Sequence, residues 1–463
     1  MCSEQSHFRK VSENLKEVHL TEGSILRKLI VFSMPMIAGN LLQQVYNLVD
    51  TLIVGKYLGP DALASVGSSY TLMIFITSIM IGLCMGSGAL FSVDHGAADE
   101  EGLKEDIWLS FCFILTISLI ICLIIYPGMT WILNVLQTPP ELKGLTRDYI
   151  SIIFAGILFV FLYNFFSYLL RALGNSMVPL MFLAISSGMN IVLDIWFVVG
   201  LKLGVGGAAL ATVIAQAVSG IGIMVYSLYK LPVLRFHKTD LKWNPARLMT
   251  IIQNDIMTGM QQSVMNFGIL MIQGLVNSFG TIVMTAFAAA VKIDTIAYMP
   301  AQEFGNAYSL FVSQNYGARK FSRIRKGTQI ALAASIVFCM LISALIFLFA
   351  GDLMALFIDP QETQILAEGV NYLRIEGACY AGIGILFLLY GYFRGVNRPH
   401  LSLLLTVISL GTRVVLSYTL APHTPLGVTA IWCSIPVGWF LADLTGYRLY
   451  RKENKKKLPD RTA

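Results

Sequence analysis

Charged side chains are what this chain has least of. Asp, Glu, Lys and Arg make up 13% of its 463 residues, about half the roughly 25% found in soluble domains. Hydrophobic residues reach 56% and mean hydropathy is +0.68, which excludes a water-soluble globular class and implies an integral membrane protein. The six histidines are scattered, so the loop-clustered Asp and His of a lipid-acting membrane enzyme are missing and no enzyme is expected. No GxxxxGKS or GxxxxGKT phosphate loop occurs, which argues against a nucleotide-driven pump. The seven cysteines form no CxxC pair: Cys2 lies in the N-terminal tail, and Cys84, Cys112, Cys122, Cys339, Cys379 and Cys433 stand singly in apolar stretches. They read as small hydrophobes rather than a disulfide or metal framework. The first 28 residues are polar and lack the apolar region and small-residue site of a cleavable signal.

What the chain does have is apolar length. Stretches able to cross roughly 30 Å of hydrocarbon recur near residues 30–54, 63–91, 107–133, 148–170, 178–200, 206–229, 255–279, 281–313, 328–350, 371–393, 401–420 and 427–449. The expected fold is all-α: twelve transmembrane helices in two pseudo-symmetric six-helix lobes around a central cleft. With both ends inside, cytoplasmic segments hold 26 of the 33 basic residues. The opposite side holds five, Lys56, Lys143, Arg147, Lys202 and Arg374, while Lys292 and Arg413 fall within spans. This asymmetry follows the positive-inside rule and predicts a multi-pass cell-membrane protein with cytoplasmic termini. It also accounts for the net charge of +6 without a nucleic-acid partner.

The basic, Pro-containing loop KLPVLRFHKTDLKWNPARL divides the chain near its middle. The expected organisation is a cytoplasmic tail (1–28), an N-lobe (29–230), an inter-lobe loop (231–250), a C-lobe (251–450) and a basic tail (451–463). The halves resemble each other at a nearly constant shift. One displacement lays Leu58-Gly59 on Phe279-Gly280, and Ser92, Gly96 and Ala97 on Ser313, Gly317 and Ala318. A very slightly longer one lays Leu203-Gly204-Val205 on Leu426-Gly427-Val428, and the run from Arg171 to Asn175 resembles Arg394 to Asn397. Six spans per half put both repeats in the membrane in the same direction, with a pseudo-two-fold along the membrane normal.

The halves differ in their acids. Asp50, in YNLVDTLIVG, and Asp194, in SSGMNIVLDIWFVVG, lie inside apolar spans. An acid at the bilayer centre costs about 2.5–3.5 kcal/mol on the insertion scale, so such residues usually face a cavity and handle ions or protons. Their C-half equivalents are Met271 and Ser417, and Asn190 pairs with Arg413. Polar residues fall at helical spacing around these acids: Gln43, Tyr46, Asn47 and Asp50; Asn164, Ser167, Tyr168 and Arg171; Ser187, Asn190 and Asp194; Thr212, Gln216 and Ser219. Asp50, Asp194 and Thr212 all fall roughly 7–10 Å below the outer surface, with Asn190 one turn deeper. Two carboxylates, an amide oxygen and a hydroxyl form a hard-oxygen set suited to a small cation such as Na+. Proton binding serves equally well, because burial and like-charge proximity favour a neutral carboxyl. The bland alternative is that each acid pairs with a Lys or Arg to orient helices, and Asn190 and Thr212 taken alone read as packing.

In the second half, Gln262 and Asn266 share a face, and Lys292, Asp294 and Glu303 occupy the eighth span. These divide between cavity-lining and structural readings; Lys292 and Asp294, two apart, do not share a face. Arg413 shares a face with Thr406, Ser409 and Ser417 and is placed to hold charge near the cleft. Pro35 deletes a backbone hydrogen bond in the first span, marking a moving part.

At these residues the chain closely resembles the multidrug and toxic compound extrusion (MATE) family, in its DinF-like prokaryotic branch, over about residues 28–450. The resemblance rests on MPMIAGNLLQQVYNLVDTLIVGKYLG, RALGNSMVPL, NIVLD followed by LGVGGAALAT, KIDTIAYMPAQEFG and NYGARK. It implies a two-lobed, cofactor-free, monomeric exporter of lipophilic, often cationic compounds, driven by inward H+ or Na+. It implies that the coupling ion sits at Asp50, Asn190, Asp194 and Thr212, that Pro35 is the hinge, and that Gln43, Tyr46, Asn164 and Arg171 line the substrate pocket. Asn47, on the same face, joins them. Other branches place acids in the seventh or tenth span. Here those regions read QQSVMNFGILMIQG and CYAGIGILFLLYGYF, so no C-lobe cation site of that kind is expected. A lipid-linked oligosaccharide flippase of the same superfamily is the alternative; its strongly cationic cavity would need more than Arg413 and Lys292.

Overall fold

A computed structural model describes residues 18–135, 138–237 and 240–457. Cys2, most of the N-terminal tail and the last six residues lie outside them. The regular structure of the described residues is all helical, with no strand among them. The first half contains α1 (Ile25–Leu58), α2 (Pro60–Ala97), α3 (Glu100–Val135), α4 (Lys143–Ala155), α5 (Ile157–Ala172), α6 (Met177–Asp194) and α7 (Gly204–Lys230). The second contains α8 (Pro245–Asn277), α9 (Thr281–Gly317), α10 (Phe321–Ala355), α11 (Thr363–Gly377), α12 (Tyr380–Gly395), α13 (Pro399–Leu420) and α14 (Val428–Lys457). Their outward faces carry Leu123, Trp131 and Leu348, each at least 70% exposed. Such faces are at home only in lipid.

Among the described residues nine helices are long and apolar enough to span a bilayer, and the bent pairs α4–α5 (41°) and α11–α12 (51°) make two more. The twelfth expected span is α8. Its 33 residues reach about 50 Å, but the polar run from Gln253 to Asn266 keeps it below an apolar threshold. The two breaks, at Gly156 and at Ala378-Cys379, were not expected from the pattern of apolar residues, which runs straight through them.

The chain forms two compact units: residues 1–19 with 34–259, and 20–33 with 260–463. These differ at both borders from the expected division. The start of α1 goes with the second unit because Leu20–Gly23 is clamped there. Arg323 donates to the carbonyls of Leu20, Glu22 and Gly23, Lys320 to Thr21, and Asn315 to Leu20. The inter-lobe loop and the start of α8 go with the first unit. There Arg247 reaches Asp94, Asp99, Glu105 and Asp106 at 3.0–3.7 Å. The border inside α1, between Ser33 and Met34, directly precedes Pro35.

Within each unit the same pairs of helices pack. α5 lies on α2 and on α7, and α6 on α7; likewise α12 lies on α9 and α13 on α14. Small residues let backbones approach, as expected without a hydrophobic drive between helices in lipid. A Cβ on Gly391 of α12 would lie 2.5 Å from the Gly305 carbonyl of α9. The backbone repeats too. Positive φ occurs at Gly59 and Gly280, Ala98 and Arg319, Gly174 and Asn397, and Gly204 and Gly427. Each pair is separated by one of the two displacements read from the sequence.

Candidate functional site

The first unit brings the expected ion-binding residues together. Asp50 lies eight residues before the end of α1, about 12 Å along its axis. Asp194 is the last residue of α6 and is followed by a π-helical segment, Ile195–Gly200. Its looser register is shown by the Leu201 N–H donating to the Trp196 carbonyl at 2.8 Å. Insertions of this kind are rare and concentrate at functional sites. Asp194 and Asn190 are buried, and Thr212 of α7 nearly so. Asn190 Nδ2 donates to Thr212 Oγ1 at 3.4 Å, and Thr212 Oγ1 donates to the Ala208 carbonyl at 3.1 Å.

The acids face each other. The Asp50 and Asp194 carboxyls lie within hydrogen-bonding reach, so a shared proton can bridge them. Without one, Asp50 Oδ1, both Asp194 oxygens and Asn190 Oδ1 are buried with no hydrogen-bond donor among the described residues. No Lys or Arg there forms an ion pair with either acid. A charged carboxylate so placed costs several kcal/mol; a bound proton or cation removes that cost. Among the described residues no three His, Cys, Asp or Glu side chains gather as for a transition metal. The set is two acids, one amide and one hydroxyl.

Three tyrosines complete it. Tyr46 bonds Thr212, Tyr149 lies close enough to feel Tyr46 and both acids, and Tyr70 lies beside Tyr46 and Tyr149. Sequence reasoning assigned Tyr46 to the substrate pocket and missed Tyr70 and Tyr149. The depth argument would have found them had it been applied to hydroxyls, since Tyr149 lies six residues into α4 and Tyr70 ten into α2.

The expected pocket residues do not gather as closely. Gln43 is exposed and Asn47 partly buried on α1. Asn164 of α5 donates to its own Val160 carbonyl at 2.8 Å. Arg171 stands over the Tyr168 ring, 5.4 Å from its centroid, in the last turn of α5. Since α6 begins a few residues later and runs its full length to Asp194, Arg171 and Asp194 occupy opposite ends of the unit.

The second unit holds an acid pair that the sequence did not reveal. Tyr380 donates to Asp294 Oδ1 at 2.7 Å. Tyr372 bonds both Asp294 and Glu376, and Arg413 faces the two acids. They line a cavity of about 100 Å³ with Tyr298 and Trp439, roomy enough for several waters. Two acids against one guanidinium leave one without a cation. The tenth-span stretch read as free of acids begins at Cys379, and Glu376 precedes it across the 51° bend. The second unit therefore holds two buried acids facing Arg413, of which the sequence singled out Asp294 alone. Lys292 is exposed while Asp294 is buried, confirming that they occupy different faces. Glu303 accepts from Asn306 at 3.2 Å.

The MatE family model matches residues 35–196 and 258–419, two equal stretches separated by the longer of the two repeat displacements. The chain belongs to the MatE family. It is 30% identical over 443 residues to the probable multidrug resistance protein YpnP of Bacillus subtilis, covering 94% of this chain and 97% of that one. It is 27% identical to the probable multidrug resistance protein YoeA of the same organism, covering 94% and 95%. A solved outward-facing multidrug resistance MATE family transporter superposes with a TM-score of 0.88 at 24% identity, covering 96% of this chain and 99% of that chain. That likeness carries the fold. MatE members are transporters, so this chain is a multi-pass membrane transporter and not an enzyme.

Proposed function

We propose that this MatE chain is a secondary antiporter, exporting lipophilic cationic compounds in exchange for H+ or Na+ bound at Asp50 and Asp194. The observation that carries the reading is Asp194, wholly buried with both oxygens lacking a donor beside a second acid. Such a pair holds little charge of its own and is completed by one small positive ion. The multidrug names of YpnP and YoeA supply the substrate class.

In this cycle an ion enters from outside and neutralises the Asp50–Asp194 pair. Asn190 and Thr212 supply the neutral oxygens that a Na+ needs, and Tyr46 links Thr212 to α1. Neutralisation changes the hydrogen bonding of α1, which bends at Pro35, and drug leaves Gln43, Tyr46, Asn47, Asn164 and Arg171. A charge crossing the full field gains about 2.3 kcal/mol per 100 mV, enough for export without nucleotide. The chain acts as a monomer with both termini in the cytoplasm of a cell-membrane protein, and needs no cofactor beyond the coupling ion.

The test is transport by purified protein in liposomes, with pH and Na+ gradients imposed separately. One gradient should drive uptake of a fluorescent organic cation, and Asp194→Asn and Asp50→Asn should each abolish that drive. Full ion-driven transport by both variants would remove the site. Gradient-independent movement of a labelled lipid-linked sugar, without drug transport, would favour the flippase.

A further inference from the structure

One buried acid has no part in the cycle above. Asp255 lies ten residues into α8 and is wholly buried. Ser87 of α2 donates to its Oδ2 at 2.7 Å, and its Oδ1 has no hydrogen-bond donor among the described residues. The pocket is built for it. A Cβ on Gly86 would lie 2.6 Å from Asp255 Oδ1, so only glycine leaves room for the carboxyl, and Gly82 brings the α8 backbone close in the same way, its Cβ falling 2.5 Å from Gly259 Cα. No lysine or arginine forms an ion pair with Asp255 among the described residues.

Its surroundings lead one way. The titratable groups that feel it are Cys84 of α2 and Asp106 of α3. Asp106 in turn belongs with Asp94, Glu105 and the Arg247 guanidinium, 3.0 Å from Asp106 Oδ1. That group stands where α2 ends and α3 begins, the end assigned to the cytoplasm by the positive-inside rule. The opposite direction is closed by distance. Ser87 lies 17 residues along α2 from Tyr70, about 25 Å of helix from the level of the tyrosines around Tyr46.

We propose that Asp255, seated against Gly86 and Ser87, is a second proton-carrying site, on the cytoplasmic half of the first unit. The proton sits on Oδ1 while Oδ2 accepts from Ser87. On release the Oδ1–H bond breaks and an O–H bond forms on the Asp106 carboxylate, directly or through water. Asp255 becomes the anion as Asp106 becomes neutral, and Asp106 then passes its proton to cytoplasmic water. The inference rests on the proton form of the antiport reading.

The experiment is infrared difference spectroscopy of the full chain in liposomes, following the carbonyl stretch of protonated carboxyls across pH, with proton-driven transport measured on the same samples. Asp255→Asn keeps the shape and the acceptor for Ser87 but cannot cycle. It should remove one carbonyl band that titrates, lower proton-driven transport at least about tenfold as for loss of a proton-transfer group, and leave organic-cation binding intact. Ser87→Ala, which removes the hydroxyl hydrogen bond but not the acid, should displace that titration. The proposal is overturned if Asp255→Asn removes no band, removes one that never titrates, or transports like the parent at every pH. It is overturned as well if Ser87→Ala leaves the titration in place. Bands lost in Asp50→Asn and Asp194→Asn report separately on the coupling site, so either assignment can fail alone.

Discussion

At the scale of single residues, the two units answer the same position with opposite chemistry. Asp194 has no donor among the described residues, whereas its equivalent Ser417 shares a hydrogen bond of 2.8 Å with Ser434. The second unit pairs its side chain where the first leaves carboxylate oxygens without a donor among the described residues. Thr212 and Asn190 contribute less than the acids, because each also bonds within the protein. An interhelical hydrogen bond in a membrane averages about 0.6 kcal/mol. Thr212→Ala should therefore weaken coupling-ion affinity about threefold, measured from the ion concentration giving half-maximal transport, while Asp194→Asn abolishes ion dependence. The cluster was legible in the sequence because a carboxylate in an apolar run stands out and helical rise converts position into depth. Tyr70, Tyr149 and Glu376 were not. Tyrosine is common in apolar spans, and Glu376, although inside the stretch 371–393, lies just before the run from Cys379 read for acids.

At the scale of elements, α1 joins a clamped start to a proline-containing middle. Six hydrogen bonds from Asn315, Lys320 and Arg323 hold Leu20–Gly23, and the unit border falls one residue before Pro35. A proline inside a helix removes a backbone bond and weakens it by about 3 kcal/mol. Pro35→Ala should restore that bond, leave substrate binding unchanged and slow ion-driven transport, read as a lower maximal rate at unchanged half-saturation. Arg323→Ala removes charge-assisted bonds to three carbonyls. Amide exchange should then accelerate over residues 20–25, with no change in α5. The existence of α1 followed from apolar length. Its division between two units did not, because Arg323 meets Leu20 from 303 residues away.

At the scale of the whole molecule, the loop between the halves is tied to the first unit by charge. Arg247 faces four acids, of which Asp94, Glu105 and Asp106 are largely buried. Arg247→Ala leaves them without their cation, so the loss in thermal stability should exceed the ~1 kcal/mol of an exposed pair. Asp240 ties the loop again: it accepts from the His237 N–H at 2.9 Å and from Lys104 at 3.4 Å. The His237 N–H, followed by Lys104, holds its carboxyl below the usual carboxylate range. A lowered acid contributes stability above its unfolded pKa, about 3.9, and loses it as pH falls through the folded value. The Asp240 tie should therefore persist from pH 8 to 5, and Asp240→Asn should narrow its stability difference from the parent only below about pH 4, checked by thermal unfolding across pH.

The amino-acid sequence by itself determined the class, the twelve apolar stretches, the duplication and the level of Asp50 and Asp194. Those depend on composition, on the fixed rise of a helix per residue and on a constant shift, all one-dimensional quantities. Tertiary structure alone decided that the two carboxyls meet, that Glu376 joins Asp294, that Gly86 makes room for Asp255, and that α1 begins in the other unit. Each of these depends on which faces of distant helices touch, and an apolar helix in lipid has no polar-to-apolar contrast to announce its buried side.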